Sequence, residues 1–232
     1  EKSDVFVIAI QMGAIAAVIY EYWTRLWGAA TGIVSGEPQG RRLGIGLILA
    51  SIPIILIGLT FGQTVKELLF NNIAIAIGLI VGGLIIIWIE KNPPQVRAQE
   101  VEDLTIKDAI WIGLIQVLSL IPGTSRSGAT IIGAMFLGVS RKAATEFSFF
   151  LGIPVIVGAG LLDLYQSYDV FSGTQDWVVL TVGLLVSFIS ALLLIRALVA
   201  YVAKRDFMIF AWYRIVSGLL ILLFAYTGWT LW

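Results

Sequence analysis

Cysteine and histidine are both missing from this 232-residue chain. Without cysteine there are no disulfides, thiolate nucleophiles or cysteine metal sites. Without histidine the commonest general base and phosphoryl acceptor is absent. Charge is also scarce, because 13% of the residues are charged, whereas soluble domains contain about a quarter. The 15 basic and 15 acidic residues balance, so bulk charge indicates no nucleic-acid partner.

Apolar residues, in contrast, are abundant in this chain. They make up 59% of the chain, and the mean hydropathy is +0.95. The apolar runs are long enough for helices that cross a bilayer core, which takes about 20 residues each, and too long for barrel strands. We therefore predict an all-α, polytopic helical membrane protein. Its six predicted spans are residues 5–22, 43–62, 71–90, 147–166, 177–197 and 208–230.

Residues 107–139 differ from these spans because Pro122-Gly123 interrupts their apolar sequence. Two short helices are predicted on either side of the break, near 107–120 and 127–139. Half-length helices around a polar break indicate a re-entrant hairpin, which enters and leaves on one face. Irregular backbone at this depth is tolerated only inside protein or beside a wet cavity.

The distribution of Lys and Arg favours the hairpin over a simple span. With residues 107–139 re-entrant, eleven basic residues lie on one side of the membrane, and Lys2 and Lys66 lie on the other. Such a bias follows the positive-inside rule. It predicts cytoplasmic loops at 23–42, 91–106 and 198–206, with both ends of this sequence outside.

The polar stretch 93–106 divides the predicted layout into two repeats. The first repeat, 1–92, has three spans, and the second, 107–232, has the hairpin followed by three spans. Because three spans change sides, the repeats are predicted to be inverted, a plan that places sites near the midplane. On this plan the hairpin of the first repeat is missing and is expected before Glu1.

The break itself predicts an anion site. A helix that begins within the membrane directs free N–H groups and the positive end of its dipole at whatever lies before it. Ser125 and Ser127 are natural N-cap residues, and Gly128 permits close backbone approach. Arg126 adds a planar guanidinium that binds phosphate oxygens in a bidentate manner. The alternative is that Arg126 is a loop residue near the interface.

Two further charged residues have open roles. Arg214 lies about two turns into the last span, where snorkelling to the inner face competes with binding a lipid phosphate or a carboxylate. Glu146 begins a predicted helix, where a carboxylate suits the dipole, with an accessory role as the alternative. Gly78 and Gly82 form a GxxxG pattern, which indicates packing within or between subunits.

The segments PGTSRSGAT (122–130) and GVSRKAATEFSFFLGIP (138–154) resemble the undecaprenyl-diphosphatase family, bacterial inner-membrane enzymes linked to bacitracin resistance. The resemblance covers essentially the whole chain. It implies hydrolysis of undecaprenyl diphosphate to the monophosphate carrier lipid of cell-wall synthesis, assisted by magnesium or calcium. It also implies inverted repeats with two re-entrant hairpins, and a homodimer is left open.

Only part of the family's site carries over to this sequence. The resemblance assigns diphosphate binding and catalysis to Arg126, Ser125 and Ser127, with Gly128 and Thr130 also at the phosphates. The family's other motif, with two glutamates four residues apart and a Pro-Val-Ser-Ser-Thr-Gly-His run, is absent here. No metal ligand is therefore predicted in this sequence, and this chain alone is expected to be inactive. The alternative function is a polyprenyl-phosphate flippase or transporter with a midplane anion site.

Overall fold

A computed structural model describes residues 2–166 and 174–226, and it describes only the backbone of residues 2–5, 7–9, 66, 159, 161–166 and 174–177. Within these ranges the chain forms nine α-helices and no β-strand. In chain order they are α1 (Lys2–Glu21), α2 (Trp23–Ser35), α3 (Pro38–Leu69), α4 (Asn72–Lys91), α5 (Ile106–Gln116), α6 (Arg126–Phe136), α7 (Arg141–Gln166), α8 (Thr174–Val202) and α9 (Met208–Tyr226).

Among the residues that the structure describes, four helices are long and apolar enough to cross a membrane. They are Pro38–Val65 within α3, Asn72–Lys91, Val178–Val202 within α8, and Met208–Tyr226. Large apolar side chains on them, such as Leu59 and Leu194, are mostly exposed, as lipid-facing residues are. The protein is therefore a multi-pass, all-α membrane protein, and these helices overlap four of the six predicted spans.

The other two predicted spans, 5–22 and 147–166, overlap α1 and α7. Each falls partly on residues whose side chains lie outside the described part of the structure. These two spans stay predictions, as does the division of the chain into two repeats.

The interrupted segment forms two short helices, as its Pro-Gly pair predicts. α5 begins with a capping box, in which the Thr105 hydroxyl accepts from the Asp108 amide and the Asp108 carboxylate accepts from the Thr105 amide. A 3-10 turn, Val117–Leu120, follows α5 and leads into the break. Gly123 has a φ of +81° there, a left-handed conformation that glycine adopts without a steric penalty. α6 then starts a new helix that packs on α5, α4 and α7.

The polar stretch before α5 is held against the end of α6. The amides of Arg97 and Ala98 donate to the Gly138 carbonyl at 2.8 and 3.2 Å, and the Ser140 amide donates to the Ala98 carbonyl at 2.8 Å. The Arg97 guanidinium also binds both carboxylate oxygens of Asp108. This stretch is therefore packed against the helices, and it fixes the start of α5 and the end of α6.

Glycines bring the long helices together. A methyl group at Gly83 of α4 would lie 2.8 Å from the Ala211 carbonyl oxygen of α9, and one at Gly218 of α9 would lie 2.8 Å from the Ala76 carbonyl oxygen. α7 lies at the centre, where Phe147, Phe150 and other side chains are fully buried. Because the backbones of α4 and α9 lie this close together, polar groups on one helix can reach the backbone carbonyls of the other.

A buried carboxylate ties three helices together at one end of the bundle. The Glu90 side chain, at the end of α4, is only 2% exposed. It accepts from the Arg141 guanidinium, with Nε at 3.0 Å, and from the Phe207 amide at 2.9 Å. The start of α7 and the approach to α9 are therefore both fixed on α4.

Candidate phosphate-binding site

The N-terminus of α6 has the cap that its sequence predicts. The Ser125 hydroxyl oxygen accepts from the Gly128 amide at 3.1 Å, and the hydroxyl oxygens of Ser125 and Ser127 lie 3.3 Å apart. The first amides of a helix have no acceptor within that helix. Hydroxyls and the positive end of the dipole therefore converge at the break.

A cavity of about 490 Å³ opens on this terminus. Its polar end is formed by Thr124, Ser125, Ser127, Gly128 and Arg214. The remaining lining is apolar and comes from α4, α6, α8, α9 and the residue before α9. The structure thus brings together most of the predicted phosphate-binding residues with Arg214, whose role the sequence left open.

Arg126 does not line this cavity, although it is the first residue of α6. Its guanidinium packs against Gly152 of α7, where a methyl group would lie 2.8 Å from Nη2 and 3.2 Å from Cζ. Nη1 is buried without a hydrogen-bond partner, and no acidic side chain pairs with Arg126 in the described part of the chain. The cation is therefore held between α6 and α7 without a counter-charge from those residues.

Thr130 has a different environment from the serines. It is fully buried, and its hydroxyl bonds to the carbonyls of Arg126 and Ser127 at 3.0 and 3.1 Å and to the Ser148 hydroxyl at 2.7 Å. The two carbonyls belong to α6 itself, and the Ser148 contact holds α6 on α7. Thr130 thus stabilises the N-terminal turns of α6 against α7, and it does not line the cavity.

Glu146 lies in the second turn of α7 and not at its start. Its carboxylate is 4% exposed and pairs with Arg25 of α2 at 2.5 Å. Arg25 also pairs with Glu100 at 3.1 Å and with Glu102 at 3.2 Å. The pair of Glu146 with Arg25 joins α7 to α2, and the further pairs of Arg25 extend this network to the polar stretch. Within the described residues, no hydrogen bond or ion pair links Glu146 to the break.

Arg214 does not snorkel. It is 9% exposed, and its Nη2 donates to the carbonyls of Gly78 at 3.1 Å and Gly123 at 3.0 Å. A methyl group at Gly82 would lie 2.9 Å from its Cζ. Both glycines of the GxxxG pattern therefore make room for a neighbour. Gly82 leaves space for the Arg214 guanidinium. Gly78 lets the backbone of the break come close, since a methyl group there would lie 2.5 Å from the Pro122 carbonyl oxygen.

Comparison with known proteins assigns this chain to a family. The family model described as "Bacitracin resistance protein BacA" matches residues 1–220. The chain belongs to the BacA family. Undecaprenyl-diphosphatase 1 of Acinetobacter baylyi is 82% identical over 232 residues, which cover 100% of this chain and 85% of that protein.

Other relatives are also named undecaprenyl-diphosphatase. Undecaprenyl-diphosphatase of Psychrobacter cryohalolentis is 56% identical over 97% of this chain and 82% of its own length. Undecaprenyl-diphosphatase 2 of Rhodospirillum rubrum is 48% identical over 100% of this chain and 84% of its own length. The resemblance carried by residues 122–154 is therefore confirmed at the level of the BacA family.

The divalent metal implied by the resemblance has no ligand set among these residues. Magnesium and calcium prefer carboxylate oxygens. The break offers hydroxyls, carbonyls and two arginines, and within residues 2–166 and 174–226 no cluster of three or more His, Cys, Asp or Glu side chains could hold a metal ion. The described residues of this BacA-family chain do not by themselves provide a ligand set for magnesium or calcium.

Two glycines that shape the site were missed by sequence reasoning. Gly152 makes room for Arg126, and Gly82 makes room for Arg214. Gly82 was predicted only as part of a GxxxG packing pattern and not as a site residue. Gly152 carries no distinctive local signal, because glycine is common in membrane helices for many reasons. Gly152-Ile153-Pro154 within an otherwise regular span was the one hint of a special backbone.

Proposed function

We propose that this protein hydrolyses undecaprenyl diphosphate to undecaprenyl phosphate, and that the N-terminus of α6 binds the diphosphate. The family and its relatives named undecaprenyl-diphosphatase support the reaction. The observation that carries the site is Arg126, a buried cation without an acidic partner in the described residues, at the start of a half-length helix capped by Ser125. A charge in such a place needs an anion nearby.

Each residue of the break has a physical task in this proposal. Arg126 neutralises the charge that develops on the phosphoryl oxygens as the anhydride bond breaks. Ser125 and Ser127 donate their hydroxyl protons to the same oxygens, and the free amides of the first turn of α6 add further donors. Thr130 keeps the turn in place through Ser148. Family membership further suggests that magnesium or calcium assists the reaction.

We further propose that the protein lies in the bacterial inner membrane, with the loops 23–42, 91–106 and 198–206 in the cytoplasm. The bias in the distribution of Lys and Arg supports this orientation. Assembly as a homodimer stays a prediction. The flippase alternative is not favoured, because the named relatives are diphosphatases.

Arg126→Lys in the full-length protein tests the site. Lysine keeps the charge but loses the planar fork, so it reaches only part of the diphosphate. We expect kcat for lipid diphosphate hydrolysis to fall on the order of a hundredfold, the scale of losing one preorganised donor, while the melting temperature changes little.

Arg196→Lys is the matched control, because Arg196 is an exposed residue of α8 that pairs with Glu21 at 2.7 Å. It should retain wild-type turnover. Near-normal turnover in Arg126→Lys would mean that the phosphates are held elsewhere, and the assignment of Arg126 would be wrong.

A further inference from the structure

A second cavity, of about 350 Å³, lies at the opposite end of α6 from the break. The buried side chains of Met135, Val139 and Val202 form its apolar wall. The rest of its lining comes mainly from the polar stretch before α5 and from the start of α7. α6 has eleven residues, so its two ends lie about 15 Å apart. Among the described residues the two cavities have no lining residue in common, and this one is therefore a separate candidate site.

Two basic residues line this cavity, and both already have acidic partners. Arg141 pairs with the buried Glu90 carboxylate, and Lys142 pairs with Glu100 at 3.0 Å. Glu100 also lines the cavity, and it pairs with Arg25 as well, at 3.1 Å. The charges that line the cavity are thus largely balanced, so any excess of one sign must come from its rim.

Three more basic side chains lie within two positions of lining residues along the chain. They are Lys91, Lys204 and Arg205, and all three are exposed. In the part of the chain that the structure describes, none of them pairs with a carboxylate. The neighbouring acid, Asp206, accepts from the Met208 amide at 3.2 Å and offsets at most one of these charges. Positive charge is therefore in excess at the rim.

An exposed aromatic pair indicates the depth of this cavity in the membrane. The rings of Trp88 and Phe136 stack with their centroids 6.0 Å apart, and both side chains are more than half exposed. Exposed tryptophan is typical of the membrane–water interface. Trp88 lies one turn before Lys91, and Phe136 follows the lining residue Met135. The cavity therefore lies at the level of the lipid headgroups, on the side that the charge distribution assigns to the cytoplasm.

We propose that this cavity binds the headgroup of an anionic phospholipid that carries hydroxyls, such as phosphatidylglycerol. The unpaired cations of the rim attract the lipid phosphate, and the headgroup hydroxyls donate to the Glu100 carboxylate. An ethanolamine headgroup carries its own cation, which cancels most of the attraction. The volume is at the low end for ligand sites, so it suits a headgroup whose acyl chains stay in the bilayer. This inference goes beyond the proposed function and does not depend on the proposed reaction.

Native mass spectrometry of the full-length protein in detergent tests the proposal, with phosphatidylglycerol, phosphatidylethanolamine and free glycerol 3-phosphate as probes. The double variant Lys204→Gln and Arg205→Gln removes two rim charges. A basic residue near an anionic lipid surface contributes about fivefold to binding. We therefore expect the affinity of the double variant for phosphatidylglycerol to fall about tenfold to thirtyfold.

The double variant Arg41→Gln and Lys107→Gln is the matched control. Both residues are exposed and lie on the same predicted side of the membrane, but neither lines this cavity. The control should bind phosphatidylglycerol as the wild type does. An equal loss in both double variants would mean diffuse attraction to a basic face and no site, and an unchanged affinity in Lys204→Gln and Arg205→Gln would contradict the proposal directly.

The choice of lipid is tested on the wild type. Phosphatidylethanolamine that binds as tightly as phosphatidylglycerol would overturn the selectivity for an anionic headgroup. Glycerol 3-phosphate that binds as tightly as the lipid would show a site for a soluble anion. We expect both to bind at least about tenfold more weakly than phosphatidylglycerol, because the first lacks net charge and the second lacks the apolar chains.

A further variant tests the location without changing charge. Ala203 is exposed and lines the cavity, so Ala203→Trp should fill part of the cavity, lower the affinity for phosphatidylglycerol at least about fivefold and leave the melting temperature nearly unchanged. Wild-type affinity in Ala203→Trp would place the lipid elsewhere. None of these measurements requires hydrolysis, so failure of lipid binding and failure of the proposed reaction are observed independently.

Discussion

Arg126 and Arg214 approach the same helix terminus from different helices. Each is accommodated by a glycine, Gly152 for Arg126 and Gly82 for Arg214, and neither pairs with a carboxylate in the described part of the chain. Because a diphosphate carries several negative charges, a terminus with two separate cations can meet it on more than one side. We therefore expect substitutions of these two glycines to affect substrate binding.

Gly152→Ala tests this influence without removing any functional group. The added methyl group would lie 2.8 Å from Nη2 of Arg126, so the guanidinium must move. A displacement of about 1 Å in a positioning group can lower activity on the order of a hundredfold. We expect kcat/KM for lipid diphosphate hydrolysis to fall at least about tenfold.

Gly158→Ala is the matched control on the same helix, because among the described residues no atom outside the neighbouring backbone of that helix lies within 4 Å of a methyl group at that position. It should leave kcat/KM unchanged. If the two variants were equally active, the position of the Arg126 guanidinium would not matter for the reaction.

The cap of α6 could be predicted from sequence, whereas its surroundings could not. Ser125 caps a helix through a bond to Gly128, three residues away, so local sequence is sufficient. The contacts of Arg214 with Gly78 and Gly123 join residues 136 and 91 positions apart. Such contacts depend on which helices become neighbours, and a single sequence does not specify this.

At the scale of elements, α5 depends on one carboxylate. Asp108 is 5% exposed and accepts from the Thr105 amide at 2.9 Å, the Thr105 hydroxyl at 2.7 Å and the Arg97 guanidinium. Burial raises the pKa of Asp108, but the hydrogen bonds from Arg97 and Thr105 outweigh burial and hold that pKa below its usual value. The ionised carboxylate therefore stabilises the folded state.

The lowered pKa of Asp108 makes the stability of the folded state depend on pH. Since the pKa of Asp108 is lower in the folded state than in the unfolded state, its contribution is complete at neutral pH. It is lost as the pH falls from about 4 through the folded-state pKa. Asp108→Asn should lower the free energy of unfolding by about 1–3 kcal/mol at neutral pH, and this difference should shrink in acid.

Melting temperatures in detergent at pH 7 and at lower pH check this expectation. Glu67→Gln, an exposed α3 carboxylate that contacts only Gln63 among the described residues, should change the melting temperature little. A difference between wild type and Asp108→Asn that stays constant across the acid range would show that the ionisation of Asp108 does not stabilise the fold.

The type of the membrane helices and the positions of four of them follow from composition and run length, because a bilayer imposes length and polarity on every span. Four of the predicted spans match helices that are long and apolar enough to cross. The packing of the polar stretch against Gly138 was not foreseen. Pro93-Pro94 and its neighbouring charges resemble a solvated linker, and the bonds that hold the stretch involve a partner some forty residues further on.

The orientation of the whole molecule is testable because the chain contains no cysteine. Single cysteines at Gln95 and at Phe70, both exposed, should react with membrane-impermeant reagents from opposite sides. From the charge bias we expect Gln95→Cys to be labelled only after the membrane is opened, and Phe70→Cys to be labelled in intact cells. Labelling of both from the same side would overturn the proposed topology.

The carboxylate of Glu90 also constrains the order in which the protein can be assembled. Its partners, Arg141 and Phe207, are synthesised 51 and 117 residues later. A buried carboxylate without partners costs several kcal/mol, so a nascent α4 keeps Glu90 in water while the following helices are made. The full set of Glu90 contacts can form only after Phe207 has been synthesised. We therefore expect this end of the bundle to close only after most of the chain has been made.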